Sequence, residues 1–404
     1  MISVSEALDA LFALANPLDI ETVALSDAAG RVLAVPAVAE RDQPPFPASA
    51  MDGYALNSAG AETGATYQVI GESAAGNGYN APVPTGACVR IFTGAPVPNG
   101  CDRIIIQEDV DRSGDTITLK DNLDPKFYVR AKGFDFTCGQ TYDAPKLLGP
   151  NDVALLAAMN VPQVQVYRKP SVALISTGDE LVMPGETPNP DQIIASNTFG
   201  LAAMLRDIGA EVRVLPIARD NLQSLEQAFS LAAGADVVVT IGGASVGDHD
   251  LVARAAEKHG VQRQFYKVAM RPGKPLMAGR LGDAMMIGLP GNPVSAMVCG
   301  KIFLTPVIRA LQGLPKEATP RFRAKLSHPV AQNGGREHYM RAVYENGLVR
   351  VFERQDSALL SVLAVSNALI VRAPHSTALE AGAEVDVILL YNNALTQNKN
   401  TCRT

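Results

Sequence analysis

The 404-residue chain has no tryptophan, five cysteines, five histidines and only 5% aromatic residues. Each shortage excludes something. Cys88, Cys101, Cys138, Cys299 and Cys402 contain no CxxC pair and are odd in number, which argues against a disulfide scaffold or a thiolate zinc site and for a reducing compartment. His249, His259, His328, His338 and His375 make no HxH or HxxxH pair, so a histidine metal centre has little support. There is no GxxxxGK[ST] phosphate loop, and no SxxK, GxSxG or Cys–His arrangement stands out as a covalent nucleophile. Positive charge is also short. A net charge of −6 is the wrong sign for a nucleic-acid binder. The N-terminus, MISVSEALDALFALANP, carries Glu6 and Asp9 inside its apolar pattern instead of a basic leader, and no uninterrupted apolar run reaches the ~18 residues of a membrane span. The expectation is a soluble, cytoplasmic protein with neither nucleic acid nor membrane as a partner.

What is present is globular. Hydrophobic residues make up 47% and charged residues 19%, and a length prior of ~150 residues per domain implies two to four domains. Residues 3–15 pattern as an amphipathic helix with Ser3 or Ser5 as its cap. Pro44, Pro45 and Pro47 then stiffen a lead-in to Met51-Asp52-Gly53-Tyr54. That presents one carboxylate beside a glycine, as either a functional group or an interdomain hinge. Residues 57–136 alternate short β runs with turn signals. Thr93-Gly94 ends one such strand, and Arg130, Lys132 and Asp135 surround Gly133. Asp152 to Met159 reads as a helix with Asn151 as candidate cap.

From Pro170 the rhythm changes to strand alternating with helix: Ser171–Ser176, a helix entered at Ser196-Asn197, Glu211–Ile217, a helix from Leu222, and then Val237–Ile241 running into Gly242-Gly243. That alternation predicts a mainly parallel sheet with helices on both faces. Residues 321–391 return to short β runs, the pattern of a small C-terminal barrel.

In open α/β sheets, function sits at the carboxyl ends of strands. Here Gly242, Gly243 and Gly247 remove side chains and Ser245 offers a hydroxyl. Asp179, Glu180, Asp220, Asp248 and Asp250 fall at strand ends or helix entries. Hard oxygen donors of this kind suit Mg2+ beside substrate phosphates. Each alone reads better as a helix cap, whereas the set converging at strand ends reads as a site. Lys267, Arg271 and Lys274 lie on a loop stiffened by Pro272 and Pro275, which reads as an anion pocket. Pro290-Gly291-Asn292-Pro293 leads into a helix whose first turn holds Ser295, and helix N-termini attract anions.

The stretches PPFPASAMDGYA (44–55), IFTGAPVPNGCDRII (91–105), STGDEL (176–181), SNTFGLAAML (196–205), TIGGASVGDHD (240–250), MRPGKPL (270–276) and GLPGNPVSA (288–296) occur in the order seen in one family and cover nearly the whole chain. The sequence resembles the bacterial MoeA family of molybdopterin molybdenumtransferases, and is similar to the gephyrin E domain. The resemblance implies a multidomain α/β protein. Residues 1–45 with 137–168 would form a mixed N-terminal linker domain, 46–136 a β-rich domain, 169–318 a three-layer molybdopterin-binding domain and 319–404 a β-barrel-like domain. It implies insertion of molybdate into adenylylated molybdopterin, with AMP released and Mg2+ assisting. It also implies an elongated homodimer whose cleft is shared between subunits, with transient contact to the adenylyltransferase and to cofactor-accepting enzymes.

Carried over by motif, Asp52, Thr93 and Asp135 would come from the other subunit's side. Glu180, Asp220 and Asp250 would line the pterin and metal side, with Thr177, Gly242, Gly243, Ser245 and Gly247 against the ligand. Lys267, Arg271 and Lys274 would hold molybdate and phosphate, Pro290, Pro293 and Ser295 would shape the pocket, and Arg341 and Ser357 would contact the oxyanion. Some members have lysine where this chain has Arg271, which keeps the charge but changes the hydrogen-bond geometry. Two alternatives stand beside this reading: a molybdopterin adenylyltransferase, which would not need residues 1–168 and 319–404, and a non-enzymatic scaffold of the gephyrin E type.

Overall fold

The structure, a computed structural model, describes residues 1–243, 251–258 and 260–391. It divides into two compact units, one comprising residues 22–29 and 35–165, the other residues 1–21, 30–34 and 166 onward.

The smaller unit is built on a six-stranded sheet in the spatial order Arg103–Ile106, Gly53–Leu56, Ala87–Ile91, Thr66–Ser73, Thr116–Leu119, Val110–Ser113. One core of this sheet holds Tyr54, Leu56, Tyr67, Cys88, Ile105 and Ile117. Gly53 answers a close approach, since a Cβ there would lie 2.0 Å from the Ile105 carbonyl oxygen. The glycine lets its strand pair tightly with Arg103–Ile106 while Asp52 emerges at the end. Gly149 and not Asn151 caps the Pro150–Ala158 helix, and the Asp152 carboxylate accepts the Gly149 N–H at 2.7 Å. Proline at the first helical position fits this start, because that N–H needs no helical partner.

In the larger unit a six-stranded sheet runs Glu211–Val214, Ser171–Ser176, Val237–Ile241, Ala284–Leu289, Met277–Leu281, Gln262–Phe265. The first four strands are parallel and the last two antiparallel. The central strands are apolar throughout because both faces are covered. Val172, Leu174, Val237 and Val239 pack on one side with Leu201, Leu205 and the helical stretch from Pro293. Ala173, Ile175 and Val238 pack on the other with Leu225, Phe229, Val252 and Ala255. The first strand stops at Val214, three residues short of the expected Ile217. Pro293–Leu311 is the one stretch, among the described residues, long and apolar enough to cross a membrane, and 83% of it is buried in the fold. It carries a π-helical turn at Gly300–Leu304.

The C-terminal strands close into a barrel. Glu337–Glu345, Leu348–Val351, Phe322–Leu326, Glu384–Leu389 and Ala368–Arg372 follow one another, and the last pairs back with the first. Met270–Arg271 adds a short parallel strand beside Glu337–His338. The N-terminus fixes the same segment, because Ile2 accepts from Ala269 N at 2.7 Å and donates to the Lys267 carbonyl at 3.0 Å. Ser3 caps the helix that follows, in a reciprocal box with Glu6.

Candidate functional site

The carboxyl ends of the parallel strands open into a cleft of about 670 Å³. Three strand ends meet there. Thr177 follows Ser171–Ser176 and donates its N–H to Ile241 O at 3.0 Å, and Gly242 follows Val237–Ile241 and donates to Leu289 O at 3.1 Å. Gly242 and Gly243 have φ of 95° and 66°, and a Cβ on Gly242 would sit 2.8 Å from the Thr177 carbonyl oxygen. Only glycine keeps both the left-handed backbone and the open floor.

Glu180 and Asp220 line the cleft, both exposed. Asp220 is not the helix cap. Asn221 takes that role, its Oδ1 accepting from Ser224 N at 2.9 Å. The Asp220 N–H instead donates to Asp179 Oδ1 at 3.1 Å. Arg219, next to Asp220 in the chain, spends its guanidinium on the carbonyls of Gly178, Asp179 and Leu181 at 3.0–3.3 Å. It therefore shapes the loop and leaves both carboxylates without an ion pair among the described residues. Such a pair fits Mg2+, which takes one or two protein carboxylates and completes its shell with water and phosphate. No group of three potential ligands is close enough to hold a metal within the described residues. Asp250, Ser245 and Gly247 lie outside them.

Pro290 and Pro293 also line the cleft, as do Gly291 and Asn292 between them. Ser295 is buried at 4% exposure in the first turn of the helix and does not line the cleft. Four further residues frame the opening without having been singled out as site residues: Ser196, Asn197, Ile193 and Ile194. Asn197 reaches across it, donating from Nδ2 to Gly291 O at 2.7 Å, and no side-chain bond caps its own helix. The SNT stretch was visible in the sequence as a helix entry. Ile193 and Ile194 had no signal, since two exposed isoleucines in a two-residue strand look like any short apolar run.

The cationic loop stands at the rim. Pro275 lines the cleft and its neighbour Lys274 is exposed, as is Arg271. Lys267 is directed at the Tyr266 ring, 5.1 Å from its centroid. The Arg271–Pro272 peptide is cis. Arg341 is not in the cleft. It is 1% exposed and donates to Gln355 Oε1 at 3.2 Å and to the carbonyls of Asp356 and Leu359 at 2.8 and 3.4 Å. Ser357, on the loop that Arg341 holds, accepts from Asn292 Nδ2 at 3.2 Å, and its carbonyl accepts from Val294 N at 3.0 Å. It thereby caps the helix behind the cleft.

In the smaller unit Asp52 and Thr93 form a closed pair. Asp52 Oδ1 accepts from Thr93 N at 2.7 Å and from Thr93 Oγ1 at 2.8 Å. The amide bond, then the hydroxyl, hold the Asp52 carboxyl below its ordinary range, so it stays anionic. Asp135 is exposed nearby in sequence to the Lys132–Asp42 ion pair, with its amide on Gln43 O at 2.9 Å. No hydrogen bond joins it to Asp52 or Thr93 among the described residues.

A glycine-floored cleft at the strand ends of a doubly wound sheet, with exposed carboxylates along it, is where α/β proteins of this class bind their ligands. Family models match along the chain: the MoeA N-terminal region (domains I and II) over residues 2–160, a probable molybdopterin-binding domain over 173–310, and the MoeA C-terminal region (domain IV) over 323–390. The molybdopterin molybdenumtransferase of Nostoc sp. is 35% identical, over 96% of this chain and 94% of that protein. That of Haemophilus influenzae is 36% identical, over 92% and 94%. The crystal structure of a molybdopterin biosynthesis MoeA protein from Pyrococcus horikoshii OT3 superposes with a TM-score of 0.83 at 28% identity, covering 96% of this chain and all of that one. The chain belongs to the molybdopterin molybdenumtransferase (MoeA) family.

Proposed function

We propose that this chain completes molybdenum cofactor by inserting molybdate into the dithiolene of adenylylated molybdopterin, with release of AMP. The observation that carries the reading is the pairing, in one cleft, of a side-chain-free floor at Gly242-Gly243 with the carboxylates Glu180 and Asp220, which have no ion pair among the described residues. The glycines let a phosphate approach backbone. The cations of the rim, Arg271 and Lys274, neutralise molybdate, a dianion that the ligand's phosphates would otherwise repel. Mg2+, when bound by Glu180 and Asp220 with Asp250, supplies charge neutralisation at the phosphates. Binding two anionic reactants side by side provides the rate gain, through proximity and through charge already in place.

The reading includes a cytoplasmic homodimer in which a second copy brings Asp52, Thr93 and Asp135 to the cleft. It also includes passing contacts with the enzymes that supply the adenylylated pterin and accept the cofactor. The test is AMP release from adenylylated molybdopterin with Mg2+, with and without molybdate. Molybdate-dependent release that falls in Asp220→Asn supports it. Adenylylation of free molybdopterin by ATP, with no molybdate-dependent AMP, would replace it by the adenylyltransferase reading.

A further inference from the structure

One end of the C-terminal barrel carries a row of basic side chains, of which only Arg271 also belongs to the cationic loop at the cleft. Strand register sets Arg271 opposite His338, and His338 opposite Arg372, on three adjacent strands. Residues paired in register share a face of the sheet. Here the face is the inner one, continued along the same strands by Met340, Ala342 and Ile370 in the barrel core. Arg336 precedes His338 by two positions and completes the group. Two loops close this end, and Asn333 laces them, donating from Nδ2 to the carbonyls of Arg336, Arg372 and Ala373 at 2.8–3.1 Å.

The charge of this row is uncompensated. Arg372 is 3% exposed and His338 7%. Arg372 Nε donates to Ser376 Oγ at 3.2 Å and Nη2 to Thr377 O, but Nη1 is buried with no partner. None of the ion pairs among the described residues includes Arg271, Arg336 or Arg372. A buried cation with an idle donor is costly to keep, and natural structures place a partner there.

We propose that Arg336, His338 and Arg372 form a binding site for a small tetrahedral oxyanion, with Arg271 at its edge. Two guanidinium forks provide planar, charged donors of the kind such an anion takes, and the imidazole adds an N–H. None of these residues lines the glycine-floored cleft, so the site is additional to it. Phosphate, sulfate and molybdate share the required chemistry.

The experiment uses full-length protein with 13C-labelled histidine, titrated with each anion in turn at fixed ionic strength and without pterin. It therefore needs no turnover, and its outcome is independent of the proposed reaction. The expected result is a saturable shift of the His338 resonance, with its titration midpoint rising by about one pH unit as the anion favours the imidazolium. Arg372→Gln and the half-buried Arg336→Gln should each weaken that binding ~10-fold or more. Whichever anion binds tightest identifies the source, with molybdate marking a substrate reserve. Arg336→Gln keeps the test open should Arg372→Gln fail to fold. No saturable shift with any of the three anions overturns the proposal. So does a shift that survives both arginine variants and vanishes in Lys274→Ala, which would put the anion on the cationic loop.

Discussion

Two places in the larger unit gather charge that has no ion pair among the described residues, and they have opposite signs. The cleft exposes Glu180 and Asp220, and Arg219, next to Asp220 in the chain, is engaged with backbone. The barrel end collects Arg336, His338 and Arg372, with an idle buried nitrogen. Other charges are matched directly, as in Arg168 with Asp236 at 2.6 Å and Arg321 with Glu337 at 2.8 Å. The contrast teaches that lack of a partner, more than charge itself, separates ligand-facing groups from structural ones. Arg341 is the instructive case, since it is buried on the same strand as His338 yet gives its Nε to Gln355 and its Nη1 to the Asp356 carbonyl.

That distinction can be broken most severely at Arg341. If its role is to hold the loop 355–359, Arg341→Met leaves Gln355 and two carbonyls without their donor, and should cost about 3 kcal/mol or more of stability. Urea denaturation of the variant measures it. An unchanged midpoint together with loss of molybdate dependence would turn Arg341 into a ligand-facing group.

The barrel end should also show its charge in pH. Burial first, and then Arg271, Arg341, Arg336 and Arg372, push His338 down from 6.5 to about 4. Between those values the unfolded chain binds a proton that the folded chain refuses. The stabilising effect of the neutral imidazole is therefore fully present above pH 6.5 and is lost as pH falls toward 4, by ~3 kcal/mol in all. Denaturant unfolding at pH 7 and pH 4.5 should show this loss, and His338→Gln should be less sensitive over the same interval. A bound oxyanion would raise the folded-state midpoint and shrink the loss.

The acid side is tested by activity. Glu180→Gln and Asp220→Asn should each lower AMP release by ~100-fold, equivalent to ~2.7 kcal/mol, with little change in unfolding. A variant that kept its rate but lost stability would move its carboxylate from the ligand to the scaffold.

Much of this was legible in the chain, and unevenly so. The two-sided sheet announced itself because VALI in SVALIS and VVV in VVVTI are unbroken apolar runs, which suit a strand covered on both faces. The glycines at 242 and 243 showed where backbone must be approached. The strand Glu337–Glu345, the longest in the barrel, did not show. Its sequence, EHYMRAVYE, puts His338 and Arg341 at buried positions, so polar residues hide the alternation. The free state of Asp220 was equally hidden, because an aspartate just before a helix reads as its cap. Only the coordinates reveal that the next residue does that work.

The smallest effect follows from that last pair and sharpens the contrast most directly. Asn221 and Asp220 are adjacent, both are capping types, and only one caps. Asn221→Ala removes the acceptor for Ser224 N and should destabilise the chain by about 1 kcal/mol, read as a drop in unfolding midpoint. The rate of AMP release should hold, since Asn221 does not line the cleft. Asp220→Asn should do the reverse, losing rate and keeping the midpoint. Two neighbours of nearly equal size and polarity would then separate completely, one by stability and one by chemistry. If both variants lost stability alike, Asp220 would be a second support for the helix entry, and the cleft would be left with Glu180 as its one free carboxylate among the described residues.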